Sequence, residues 1–270
     1  MRLTVNEALE GTRVALCLAF LIYASWSDFK KREVSNTVWA FFAPIAFALT
    51  SLQLFLFVHQ QLYIYAVSFG LTLALSIALF YTGAFGGADA KAMICISLAL
   101  PSYPTYLLQP LFGFISPLFP ITVFCNAVLL AAVSVVYVLI RNGLWKRRTG
   151  KPLFEGFESE STGRKILTLL TGYKADVNEL KKKEHWYPLE DIQVTETGES
   201  QRRLLIIPKE EKREEIVKRV LKAANEGKFQ NGVWITPGLP MLIFITAGLI
   251  AALLAGDFVW IFLRSVLGYS

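Results

Sequence analysis

Histidine and cysteine are scarce in this chain: His59 and His185, with Cys17, Cys95 and Cys125, are all it has in 270 residues. The cysteines lie singly in apolar runs and no Cys/His pair has ligand spacing. A disulfide framework and a zinc site are therefore both excluded as expectations, and neither metal nor cofactor is expected. Charge is sparse over the first half of the chain. From residue 14 to residue 140 it is confined to Asp28, Lys30, Lys31, Arg32, Glu33, Asp89 and Lys91. A water-soluble fold needs far more polar surface, and with 54% hydrophobic residues the composition is that of a polytopic membrane protein. The first residues lack the basic character of a cleaved leader, since Glu7 and Glu10 stand beside Arg2 and Arg13, so the first apolar run reads as retained. No internal repeat is visible. A formal net charge of +6 suggests no nucleic acid. The basic residues cluster beside apolar runs, where they mark a cytoplasmic membrane face.

The pattern predicts six transmembrane helices in an otherwise all-α membrane protein. The first runs over residues 14–27 and reaches a spanning length if its helix begins near Asn6. Residues 37–58 and 62–82 give two more, with Pro44 a kink and His59-Gln60-Gln61 a minimal turn. A fourth starts at Ala90 and is interrupted by Pro101, Pro104 and Pro110, which predicts a bent or partly unwound segment. Residues 121–140 are the fifth and 241–255 the sixth. Lys30-Lys31-Arg32 and Trp145-Lys146-Arg147-Arg148 agree in parity as cytoplasmic, which puts both termini outside and the tail with Trp260 at the outer interface.

Between the fifth and sixth spans the composition changes. Residues 141–228 carry 20 basic and 15 acidic groups, the density of a soluble unit, so the chain divides into 1–140, a small α+β cytoplasmic insert over 141–235, and 236–270. Within the insert, residues 191–196 and 203–207 read as a hairpin around Thr197-Gly198-Glu199-Ser200. A helix over 210–226 has Ile216, Val217, Val220, Leu221 and Ala224 on one face and Gly227 as its stop, and residues 233–236 are β-prone.

Two acids stand out in this apolar setting. Asp89 lies in Gly86-Gly87-Ala88-Asp89-Ala90-Lys91 at the head of the fourth span, and Asp28 closes the first. Two crossings separate them, so both fall on one membrane face whichever way the chain inserts. Glycines at 86 and 87 would permit positive φ or close backbone approach, and an acid at a helix start is also what a plain N-cap requires. An acid at a bilayer boundary is costly and marks a functional site by default. Two chemistries use such acids. A paired-carboxylate hydrolase splits the two proton affinities so that one acid stays protonated while the other activates water. A proton- or cation-coupled transporter uses the same acids as carriers. Lys91, two residues on, is expected to anchor the interface.

The Gly86 to Lys91 stretch resembles the Gly-x-Gly-Asp signature of type IV prepilin peptidases and their archaeal preflagellin peptidase relatives, which are membrane aspartyl proteases. Asp28, followed by a basic loop and Val34-Ser35-Asn36, resembles that family's other aspartate. The chain departs from the signature at Ala88, where the family has glycine. Pro237-Gly238-Leu239-Pro240 is similar to the Pro-Ala-Leu-Pro element of presenilin-like proteases, and is also an ordinary proline-rich helix entry. The resemblance implies an Asp28/Asp89 dyad supported by Gly86, Gly87 and Ala88, with the Pro237 to Pro240 element a candidate substrate contact. It further implies a signal-peptide-bearing preflagellin or prepilin-like substrate, cut at the cytosolic membrane face. A soluble insert before the last span, and no cysteine-bearing domain near the start, resemble the archaeal preflagellin type.

Overall fold

In the computed structural model, residues 4–112, 116–182, 186–194, 200–205, 213–227, 232–237 and 240–268 are described. The chain divides into two compact units, one of residues 1–131 and 240–270 and one of residues 132–239.

In the first unit, α1 (Val5–Lys31), α2 (Asn36–Leu56), α3 (Leu62–Tyr81) and α4 (Gly87–Ala99) follow in order, with the start of α5 (Phe119–Thr149), then α9 (Met241–Leu254) and α10 (Phe258–Leu267). Among the described residues, four helices are long and apolar enough to cross a membrane: α1, α2, α5, and α3 with the 3-10 turn at His59–Gln61 that leads into it. The pair α9 and α10, bent by 59°, makes a fifth if it is one span. The segments expected as the fourth and sixth spans do not reach spanning length as single helices. At about 1.5 Å per residue, the 13 residues of α4 and the 14 of α9 each fall short of a hydrocarbon layer of about 30 Å. The helix α4 stops at Ala99 because Pro101 and Pro104 cannot continue it, and Thr50 donates its hydroxyl to the freed carbonyls of Leu98 and Ala99.

The helix α4 is the centre of this unit, packing against α1, α2, α3 and α9. It is buried on most sides, through the small Ala90, Ala92, Cys95, Ser97 and Ala99 and the larger Met93 and Ile96. Facing it, α3 buries Tyr65, Ser68, Thr72 and Ser76 at helical spacing, while Val67, Leu71, Ile77 and Phe80 point outward. Small and polar residues inside with large apolar ones outside is the arrangement that lets helices approach closely in lipid. The same logic sets Gly248, where an added Cβ would sit 2.7 Å from the Ala127 nitrogen and the Val123 oxygen of α5.

The second unit is α+β. Beyond the end of α5 it holds α6 (Thr162–Thr171), β1 (Tyr173–Ala175), α7 (Val177–Lys182), β2 (Trp186–Pro188), β3 (Glu190–Val194), β4 (Ser200–Leu204), α8 (Arg213–Asn225) and β5 (Val233–Pro237). One antiparallel sheet has the order β1-β5-β2, and β3 and β4 form a second pair in which Asp191 faces Arg203. The expected hairpin is thus present, with its turn outside the described residues. The helix α8 ends ahead of Gly227, at φ 79°, and buries Ile216, Val217, Val220 and Ala223, with Leu221 and Ala224 at the edge of the same cluster.

Candidate active site

Asp28 sits in the last turn of α1, which continues through Lys30 and Lys31, and the connection to α2 is only Arg32 to Ser35. The stretch after Asp28 that reads as a basic loop is thus helical through Lys31. Two lysines in the last turn suit the negative end of the helix, and Arg32 then closes it at φ 56° while donating its N–H to the Asp28 carbonyl at 2.9 Å. Among the described residues Arg32 is the one non-glycine with positive φ. Ser27 ties the connection back by donating to the Glu33 carbonyl at 2.8 Å. The Asp28 carboxylate is therefore carried on a regular helix, half-buried, and accepts no hydrogen bond among the described residues.

Asp89 is placed by a different device. The buried Phe85 packs edge-on against Phe124 and anchors the turn after α3. Gly86 is then the N-cap of α4 and Asp89 its third residue, so the plain N-cap reading of Asp89 is displaced by one turn. The carboxylate reaches back and Oδ2 accepts the Gly86 N–H at 3.0 Å. A Cβ on Gly86 would lie 3.2 Å from that same oxygen, whereas one on Gly87 would meet only the Phe80 ring at 3.7 Å. Neither glycine has positive φ, so it is close approach at Gly86, not backbone freedom, that the pair supplies. Ala88 is helical and its departure from glycine brings no strain.

The helices that carry the two carboxylates, α1 and α4, pack against each other, and no hydrogen bond joins the acids. Three further contacts surround them. Lys91 Nζ donates to Asn36 Oδ1 at 2.7 Å, which links the start of α2 to the first turns of α4. One turn before Asp28, Ser25 donates to the Leu242 carbonyl at 3.0 Å and shares a hydrogen bond of 2.7 Å with Thr246 of α9. These polar partners were not foreseen, although single small polar residues inside apolar runs were a signal for them. Of the Pro237 to Pro240 element, Pro237 ends β5 and Pro240 is the N-cap of α9, while Gly238 and Leu239 lie outside the described residues. No group of three potential metal ligands occurs among the described residues.

The class defined at this point is a polytopic membrane protein with two acids at neighbouring helix ends and an α+β appendage. The model for the type IV leader peptidase family matches residues 15–137, and that for the Archaeal Peptidase A24 C-terminus Type II matches residues 164–258. Over these two segments the chain is similar to the type IV leader peptidase family and to its archaeal type II C-terminal region. It is 34% identical over 133 residues to a preflagellin peptidase of Methanococcus voltae, covering 47% of this chain and 57% of that protein. It is 24% identical over 247 residues to a preflagellin peptidase of Methanococcus maripaludis, covering 88% of this chain and 92% of that one.

Proposed function

We propose that this chain is a membrane aspartyl endopeptidase that removes the signal peptide of preflagellin or prepilin-like proteins at the cytosolic face of the membrane. The observation that carries the reading is that α1 and α4 pack against each other, with Asp28 in the last turn of one and Asp89 in the first turn of the other. Like charges brought close resist joint ionisation, so one acid holds a proton while the other draws a proton from water. That water attacks the scissile carbonyl, the protonated acid donates to the carbonyl oxygen, and collapse of the tetrahedral intermediate returns a proton to the leaving amine.

In this reading α4 and the irregular residues after it complete a fourth crossing and α9 begins a sixth, with the second unit cytoplasmic and both termini outside. Gly86 gives the Asp89 carboxylate its room, and the substrate enters from the bilayer.

The test is cleavage of a purified signal-bearing preflagellin by the purified chain in detergent, with no ion gradient. Processing that is lost in Asp28→Asn and in Asp89→Asn supports the dyad. A chain that cleaves nothing but shows acid-dependent, gradient-driven flux in vesicles is a transporter instead.

A further inference from the structure

The helix α6 belongs to the charged unit, yet its most apolar face is turned outward. At about 100° per residue, Ile166, Leu167 and Leu170 share one arc. Ile166 is 52% and Leu167 43% exposed and Leu170 is half-buried, while the opposite arc buries Thr168. An amphipathic helix in a soluble domain normally faces the other way, with its apolar stripe on the core.

The end of α6 is tied to α5. Its C-terminal carbonyls have no partners within the helix. Asn142 of α5 supplies them, donating through Nδ2 to Gly172 O at 2.8 Å and to Leu169 O at 3.4 Å. The next residue, Tyr173, lies against the guanidinium of Arg141, 3.7 Å from its ring centroid. Arg141 and Asn142 directly follow the uncharged run 121–140. At about 1.5 Å per residue, that run measures about 30 Å, a full hydrocarbon layer. Asn142 is thus within one helical turn of the hydrocarbon boundary, and so is the end of α6.

We propose that α6 lies in the headgroup layer where α5 leaves the bilayer, with Ile166, Leu167 and Leu170 in the acyl region, and that it seats the second unit on a membrane carrying anionic lipid. Lys146, Arg147 and Arg148 in the last turn of α5, with Lys165 beside the apolar arc, supply the complementary charge. The inference rests on residues 121–140 crossing the membrane, not on the protease reading, and its test uses no activity.

Single nitroxide labels are attached at Ile166→Cys, Leu167→Cys and the exposed α8 position Lys218→Cys, in full-length chains whose half-buried Cys125 is replaced by Ser. The proteins are held in nanodiscs of phosphatidylglycerol and phosphatidylcholine, and collision with oxygen is compared with collision with a water-soluble nickel chelate. The labels at 166 and 167 are expected to favour oxygen, and the label at 218 the chelate. An aqueous ratio at both 166 and 167 overturns the proposal. So does dipolar broadening between labels of two chains, which would mean that a second copy covers this face.

Discussion

Lys91 Nζ lies 2.7 Å from Asn36 Oδ1, so the first residue of α2 is tied to the helix that carries Asp89. Both side chains are exposed, which limits this charge-assisted bond to about 1 kcal/mol. Lys91→Ala and Asn36→Ala are each expected to lower kcat about fivefold with little change in KM. Because they remove the same bond, the double variant should lose no more than either single one. Additive losses would show that Lys91 and Asn36 act separately.

Asp28→Asn and Asp89→Asn are expected to lower cleavage by about 10³-fold or more, since each removes the proton-transfer capacity of one acid. Folding should survive both. In Asp89→Asn the new amide oxygen can still accept the Gly86 N–H, and Asp28 accepts no hydrogen bond among the described residues. Cleavage rates with a thermal-shift control in detergent check this, and near-wild-type turnover in either variant would sink the dyad.

Gly86→Ala and Gly87→Ala separate close approach from backbone freedom. The added methyl at 86 meets the Asp89 carboxylate at 3.2 Å, tighter than most such contacts, and must displace it, while that at 87 makes an ordinary contact at 3.7 Å. Activity is expected to fall about tenfold or more in the first and less than twofold in the second. Equal losses would return the argument to backbone flexibility.

Lys174 provides a pH test in the second unit. It is 3% exposed, and burial pulls its ammonium group down to about 8, against the opposing effect of Glu190. The folded state thus binds less proton than the unfolded state between about pH 8 and the ordinary lysine value of 10.5. The cost of burying the charge is in full force below pH 8 and is relieved as pH rises through that window. Glu190 keeps Arg202 at 2.7 Å in any Lys174 variant. Lys174→Met should therefore gain on wild type at pH 7, with the gap narrowing by pH 10 in denaturant titrations of the full chain. A gap that widens with pH would refute the assignment.

Much of this protein was legible in its amino-acid order because the governing physics is local. Charge is excluded from hydrocarbon, so the apolar runs mark α1, α2, α3 and α5, and the lone acids Asp28 and Asp89 declare themselves against that background. Prolines at 101 and 104 stop α4, and Gly227 stops α8, through backbone terms that need no distant partner. What remained hidden depends on contacts across the chain. Asp28 proved to be helical because the polar run after Ser27 is closed by Arg32 and tied back by Ser27, and hydropathy cannot see such a closure. The β-prone residues 233–236 do form the strand β5, but its place between β1 and β2 was hidden, because its hydrogen bonds go to segments far back in the chain. The need for glycine at 86 follows from where the Asp89 carboxylate comes to rest, and the outward stripe of α6 from Asn142 gripping that helix by its far end. Local sequence sets which segments are apolar, helical or extended, whereas which face each one buries is decided by the partners that the rest of the chain brings to it.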